Sequence, residues 1–498
     1  MSNLKRLMNP RHVAFIGGRW AISALESCAQ FGFEGQLWLV NPRCPTLKAG
    51  ESFASISDLP EAPDAVYLAV PSNQVPETLR ELSTLGAGGC ICFAAGFSEK
   101  GGKGIELEAQ LKAASGQMAV VGPNCYGMLD CRTGLHLWAG DMLERRRGAG
   151  IGLVSQSGAL AEYLAIPPRS TPFNFILSVG NQAVVTTEDV IDVLIDDDDI
   201  NVIGLYIEGI RDVGRFSQVV ARAASKSKPI VVIKVGHSEQ ASKVTRGHTS
   251  SLAGTTEFYN ALFERLGIVR VYTLNQMVES MKLLSFLGPL KGNRMAAITL
   301  SGGEAAMIAD YADQSEVILP NLSSAQLETL ENQLPDLVNV MNPLDLTIVV
   351  MENDEQCRLS IDTLASGEVD VVCAMLDAYS SRDSLFTDTM ERLCSTFCEL
   401  VRRHKVAGVV GGCLPETLPD YLRDLALAGG AAPMQGLEEM MEAIGGSARL
   451  GAFYSNLKLN KPVLSLPSPP AQKGVIEILD EITSKRWLGQ LGFPIPNS

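Results

Sequence analysis

Apolar residues along the chain collect in short runs, each separated from the next by a polar or amphipathic stretch of helical length. VAFIG (13–17), QLWLV (36–40), AVYLAV (65–70), CICFAA (90–95) and MAVVG (118–122) form the first series. Runs this short, apolar throughout rather than alternating, predict strands covered on both faces of a parallel sheet. Residues 1–145 are therefore expected to form one doubly wound α/β domain. RRRGAG (145–150) marks a boundary, after which IGLV (151–154), VIGLYI (202–207) and IVVIKV (230–235) define a second unit over 146–288. GPLKGNR (288–294) introduces a third series, MAAITL (295–300), VDVVCAML (369–376) and VAGVVG (406–411), giving a unit over 289–459. The Pro-rich NKPVLSLPSPPAQKG (460–474) opens a last stretch, 460–498, which reads as a linker, one helix and an extended tail with no sheet of its own.

The length of 498 residues agrees with about three domains. With 41 basic and 56 acidic residues the net charge is −15, which argues against nucleic acid or an anionic membrane as partner. MSNLKRLMNPRH lacks the apolar core of a signal peptide, and no run of about 20 apolar residues predicts a membrane span. The 11 cysteines are scattered without a Cys/His cluster. Neither a disulfide framework nor a metal site is expected, and reduced thiols in a cytoplasmic protein fit best.

Ligands of open parallel sheets bind beyond the carboxyl ends of the strands, so the residues there are the candidates. After IGLV comes Ser155-Gln156-Ser157-Gly158, opening a helix; after AAITL comes Ser301-Gly302-Gly303, opening another. A glycine-bearing helix start is either a plain N-cap or, with its free N–H groups and the positive end of the dipole, a phosphate site. Two such starts in adjacent domains favour the phosphate site, with one anion held between them. After VIGLYI comes Glu208, and the loop after IVVIKV runs to His248 in VTRGHTSSLAG (244–254). On one flavodoxin-like sheet these groups share an edge, where a carboxylate can fix a histidine's tautomer and leave its other nitrogen as nucleophile. Of the five histidines, His12 begins a strand, His136 and His404 have no evident partner, and His237 in the polar KVGHSEQASK is the internal competitor. In the first unit, the dinucleotide glycine pattern is broken at Arg19 and Ile22 after Gly17. The second strand ends on Arg43 rather than an acidic residue, which points to a phosphorylated adenosine, that of coenzyme A or NADP.

These motifs together resemble the NDP-forming acyl-CoA synthetases, relatives of succinyl-CoA synthetase. VNPR, VPSN, AAGFSEKGGKG and GPNCYG are similar to the family's CoA-binding domain; GLVSQSGAL, SVGNQA, YIEGI and GHTSSLAG to its flavodoxin-like ligase domain; SGGEAAMIAD and NPLDL (342–346) to its second ligase domain. The resemblance implies a Rossmann-like CoA-binding domain followed by two flavodoxin-like domains. It implies that His248 is transiently phosphorylated, that Glu208 orients it, and that Ser155–Gly158 and Ser301–Gly303 cradle the phosphate. Gly17, Asn41, Arg43, Ser72, Gly96 and Asn124 fall in the CoA motifs, and Gly180, Asn181 and Gln182 in the substrate loop. The implied reaction joins a carboxylic acid to CoA at the expense of ATP, through phosphohistidine and an acyl phosphate. The family's acids run from acetate to hydroxycinnamates such as ferulate.

Two departures stand out. Gly18, Arg19 and bulky Trp20 occupy a first loop that the family fills with small residues. LGFPIPNS (491–498) is similar to the opening of an ATP-grasp domain whose remainder is not in the sequence. The ATP site, with its Mg2+, is thus expected on a separate ATP-grasp subunit or a missing C-terminal part, in an oligomeric assembly. Val184-Val185-Thr186 stands where the family has an acidic residue and points to a larger, less polar acid. A non-catalytic CoA-binding regulator is the alternative reading, and an NADP oxidoreductase the third.

Overall fold

The structure, a computed structural model, describes residues 2–43, 46–138, 140, 148–166, 169–236, 238, 240–241, 256–382, 386–459 and 480–490. His248 and its competitor His237 lie outside the described residues.

Three sheets follow one another. The first contains β1 (His12–Gly17), β2 (Gln36–Val40), β3 (Glu51–Phe53), β4 (Ala65–Ala69), β5 (Gly89–Cys92) and β6 (Ala119–Val121). Every pairing is parallel and the order is β3-β2-β1-β4-β5-β6, the doubly wound dinucleotide-fold order. The chain reverses direction across the sheet between β1 and β4, which opens a crevice at their carboxyl ends.

The second sheet contains β7 (Gly127–Asp130), β8 (Leu135–Trp138), β9 (Gly150–Ser155), β10 (Phe173–Ser178), β11 (Ile200–Ile207), β12 (Ile230–Lys234) and β13 (Val269–Val271). Its parallel part runs β13-β12-β11-β9-β10, the flavodoxin-like order, and the antiparallel hairpin β7-β8 closes the β10 side. This hairpin precedes the boundary expected near residue 145, so the chain of the first unit contributes two strands to the sheet of the second. Met128 pairs with Leu177 across that join.

The third sheet contains β14 (Met295–Thr299), β15 (Leu344–Asp345), β16 (Val371–Met375), β17 (Ala407–Gly412) and β18 (Ala432–Gln435), all parallel in the order β15-β14-β16-β17-β18. The helix Leu437–Lys458 leaves this unit and packs on the helix Leu274–Leu287 of the second.

The central strands are buried along almost their whole length, and this is why their sequences are apolar without alternation. Several helices of the second unit start on side-chain caps. Ser157 accepts from Leu160 N–H, Thr186 and Thr273 form capping boxes with Asp189 and Gln276, and Asp212 accepts from Arg215 N–H. In each sheet the place for a ligand is the carboxyl edge, where strands end and helices begin. Among the described residues no helix is long and apolar enough to cross a membrane.

Candidate functional site

At the carboxyl edge of the first sheet, β1 ends on Gly17 with φ +137°. A Cβ there would lie 2.3 Å from the Ala69 carbonyl oxygen, so only glycine lets β1 and β4 close here. Asn41 Nδ2 donates to the Gly17 carbonyl at 2.8 Å, and Arg43 N–H donates to Asn41 Oδ1 at 3.0 Å, leaving the Arg43 side chain exposed. Ser72 and Gly96 face each other at the ends of β4 and β5, with Ser72 Oγ 3.3 Å from where a Gly96 side chain would begin. The residues named for CoA thus line one edge, with Asn124 at its far end. Trp20 sits above it, half exposed, against Phe93 at 5.6 Å and beneath the Arg19 guanidinium.

The loop Gly180-Asn181-Gln182 clasps the first two units together. Asn181 Nδ2 donates to Glu99 at 2.6 Å and to Glu108 at 3.2 Å, and Asn124 Nδ2 donates to Asn181 Oδ1 at 3.3 Å. Burial opposes the charged form of Glu99. The Asn181 amide and the N–H groups of Gly96 and Phe97 more than offset it, and its carboxyl titrates below the usual range. Arg211 holds the same loop from the other side, donating to the carbonyls of Gln182 at 3.0 Å and Asn181 at 2.7 Å. Asn181 and Gln182 are buried, and neighbouring Val184 and Val185 pack into hydrophobic clusters.

Between these two sheet edges opens a cleft of about 800 Å3. Phe93, Ala94, Ala95, Asn124, Cys125 and Tyr126 line it from the first unit's side. Gln156, Ser157, Gly158, Ala159, Tyr206 and Glu208 line it from the second, together with Val235, Gly236 and Ala241. Asn124, the helix start after β9 and Glu208 thus converge on one space. Ala241, which lines the cleft, is the last described residue before the stretch of sequence that carries His248.

The turn at the helix start divides its tasks. Ser155, fully buried, donates from Oγ to the Ser157 carbonyl at 2.6 Å and accepts from Ser157 N–H at 3.1 Å. Ser157 Oγ accepts from Leu160 N–H at 3.5 Å. Gly158 and Ala159 are the remaining first-turn N–H donors, and both residues line the cleft. The Tyr126 ring lies over Gly158, where a Cβ would come within 2.3 Å of Tyr126 Cδ1. The Gln156 side chain turns away from the helix start and grips the turn after β11. Its Oε1 accepts from Glu208 N–H at 2.7 Å and Gly209 N–H at 3.2 Å, and its Nε2 donates to the Gly209 carbonyl at 2.9 Å. Gln156 thereby fixes the backbone that carries Glu208.

Ser301, Gly302 and Gly303 of the third unit are not among the residues that line this cleft. Ser301, Gly302 and Gly303 open the helix Gly302–Gln314, but Glu304 follows them and its carboxylate accepts from Leu300 N–H at 3.3 Å. Burial first, then Asp377 and Asp345, push Glu304 up to about 7. Ligand atoms of Glu304, Asp377 and Cys413 all lie within 4.8 Å of one another, so this edge is crowded with acidic groups.

Three histidines have structural tasks. His12 Nδ1 accepts from Asp64 N–H at 3.1 Å and its ring stacks on Trp38; His136 is buried edge-on to Phe31; His404 contacts Asp362 at 2.6 Å. None of the three touches the cleft.

Sequence reasoning did not single out Phe93, Tyr126 or Tyr206, the aromatic lining of the cleft. Tyr206 was within reach, because it stands two residues before Glu208 and so shares its face of the strand. Tyr126 gave no such signal, since its contact with Gly158 joins two units.

The architecture defines the class first: a CoA-type doubly wound domain joined to flavodoxin-like ligase domains. The CoA binding domain family matches residues 11–130, and the family of the succinyl-CoA ligase like flavodoxin domain matches residues 148–284. The chain is 30% identical over 387 residues to the acetate–CoA ligase (ADP-forming) II subunit alpha of Pyrococcus furiosus, covering 75% of this chain and 82% of that subunit. It is 31% identical over 350 residues to the acetate–CoA ligase (ADP-forming) of Methanocaldococcus jannaschii, covering 69% of this chain and 49% of that protein. It therefore spans about half the length of the second relative. The acetyl-coenzyme A synthetase 1 of Ca. Korarchaeum cryptofilum, solved with phosphate and ADP, shares the fold. Its TM-score is 0.79 at 24% identity, over 93% of this chain and 99% of that one. The chain belongs to the ADP-forming acyl-CoA ligase family.

Proposed function

We propose that the chain is the CoA-ligating, phosphohistidine-bearing part of an acid–CoA ligase. The observation that carries this reading is the single cleft shared by Asn124 at the CoA-type edge, the first-turn donors Gly158 and Ala159, and Glu208. A group held there meets backbone dipoles at one end and a carboxylate on a braced turn at the other, between aromatic walls.

In this account, an ATP-grasp subunit or domain outside this sequence holds ATP with its Mg2+. An imidazole nitrogen of His248 takes the terminal phosphoryl group and ADP leaves. A carboxylate oxygen of the acid then attacks phosphorus, and the histidine leaves with the electrons of the N–P bond. The acyl phosphate so formed is attacked at its carbonyl carbon by the CoA sulfur, which loses its proton, and inorganic phosphate departs. Glu208 holds the imidazole tautomer, while Gly158 and Ala159 stabilise charge on the phosphoryl oxygens. The acid is a carboxylic acid drawn from the range between acetate and ferulate.

The test supplies ATP, CoA and acids from acetate to ferulate, with and without an ATP-grasp partner, and traps acyl products with hydroxylamine. The account expects acyl hydroxamate only with the partner, and none from His248→Ala, which still binds CoA. CoA binding without acylation of any acid, partner present, would instead establish the regulatory reading.

A further inference from the structure

Lys234 closes β12 and is 2% exposed, among the largest fully buried side chains of the protein. It pairs in register with Ile207, the residue before Glu208, and directly precedes Val235 and Gly236 of the cleft wall. Its ammonium donates to the Val235 carbonyl at 2.5 Å and lies 4.5 Å from the centroid of the Tyr259 ring. The Tyr259 hydroxyl in turn accepts from Ile210 N–H at 3.5 Å, so the charge sits beneath the turn that carries Glu208. An ammonium has three donors. Among the described residues it finds one carbonyl and one aromatic face, and no carboxylate within ion-pair distance. A methionine would fill the same volume without removing a charge from water, so packing alone gives no reason for lysine.

We propose that Lys234 is a positioning residue that supplies the fixed positive charge of the anion site in the cleft, acting from behind the wall formed by Val235 and the Glu208 turn. The inference rests on the reading that this cleft handles a phosphoryl group. The helix start contributes only the partial charge of its free N–H groups, and Glu208 opposes an anion. A buried full charge beside them makes the site receptive, because the low local dielectric screens it little. The charged and titratable groups near the ammonium are Glu208 on the turn after β11, Arg270 on β13 and Tyr259 on the helix Thr256–Leu266. Burial, then Arg270, push Lys234 down to about 8, against the pull of Glu208. Burial and Glu208 push Tyr206 up to about 12, so it stays neutral where Lys234 titrates. The site therefore carries its charge below about pH 8 and loses it above.

The test titrates sulfate, an anion whose own charge is constant over this range, into the whole chain by calorimetry at neutral pH and well above Lys234's titration. Wild-type affinity is expected to fall on the order of tenfold as pH rises, the size of one nearby charge in a poorly screened site. Lys234→Arg keeps its charge and should hold its affinity at both pH values. Lys234→Met should bind weakly at both, yet melt no lower than wild type at neutral pH, because a desolvated charge has been removed. Sulfate affinity that is equal at both pH values in the wild type, undiminished in Lys234→Met, or undetectable at neutral pH would overturn the proposal. Should Lys234→Met fail to fold, the pH profiles of wild type and Lys234→Arg decide. Acyl transfer is not read here, so failure of the ligase reading would show separately, in the hydroxylamine assay.

Discussion

Gln156→Leu isolates the brace beneath Glu208. The native amide is almost fully buried and makes three bonds to the turn: from Glu208 N–H at 2.7 Å, from Gly209 N–H at 3.2 Å, and to the Gly209 carbonyl at 2.9 Å. Leucine fills nearly the same volume and answers none of them. A net contribution of about 1 kcal/mol per bond, with some offset from water entering the cleft, gives about 2–3 kcal/mol concentrated in the turn. Local opening at that cost corresponds to amide exchange roughly 30- to 150-fold faster. Hydrogen–deuterium exchange resolved to single residues reads this at Glu208 and Gly209, with Leu205 inside β11 as the internal control. The control should be unchanged. Acceleration below about threefold at both turn amides, or equal acceleration along the whole strand, would refute the idea that Gln156 fixes Glu208. Phosphohistidine formation should slow in the same variant, since a displaced orienting carboxylate costs rate without altering the chemistry.

Gly158→Ala places a Cβ within 2.3 Å of the Tyr126 ring and should lower the melting temperature, overpacking here costing about 1–3 kcal/mol. Tyr126→Ala in the same chain should relieve that strain, and non-additive melting temperatures are the check. Asp64 gives a pH prediction. Burial raises its pKa, but bonds from Arg11 and Arg6 outweigh burial and bring it down to about 2. A carboxyl depressed on folding adds stability that is complete above its unfolded pKa of about 4 and is lost as pH falls towards 2. Asp64→Asn should therefore be less stable at neutral pH and show a flatter acid-unfolding profile between those values, measured by circular dichroism.

Much of the fold was legible because its central strands are short apolar runs. QLWLV is a strand over Gln36–Val40 as read, and VIGLYI and IVVIKV differ from β11 and β12 only at their ends. The hairpin β7-β8 was not legible. Its LHLW buries His136, and its place depends on Met128 meeting Leu177, a pairing that no local pattern encodes. Glu208 and the helix start after β9 could be named because a parallel sheet brings the ends of its strands to one edge. The side-chain task of Gln156 could not, since it depends on a contact with Gly209, far along the chain. Likewise the acidity around Glu304 depends on Asp345 and Asp377 arriving from separate strands.

The account stands or falls on a phosphoryl group reaching one imidazole. The most direct measurement incubates the chain and an ATP-grasp partner with radiolabelled ATP, then maps acid-labile, base-stable label by mass spectrometry of the peptides spanning His237 and His248. The account predicts label on His248, slower to appear in Glu208→Gln and discharged on adding acid and CoA. Label on His237 instead, or acyl-CoA formed while His248 never carries phosphate, would contradict it.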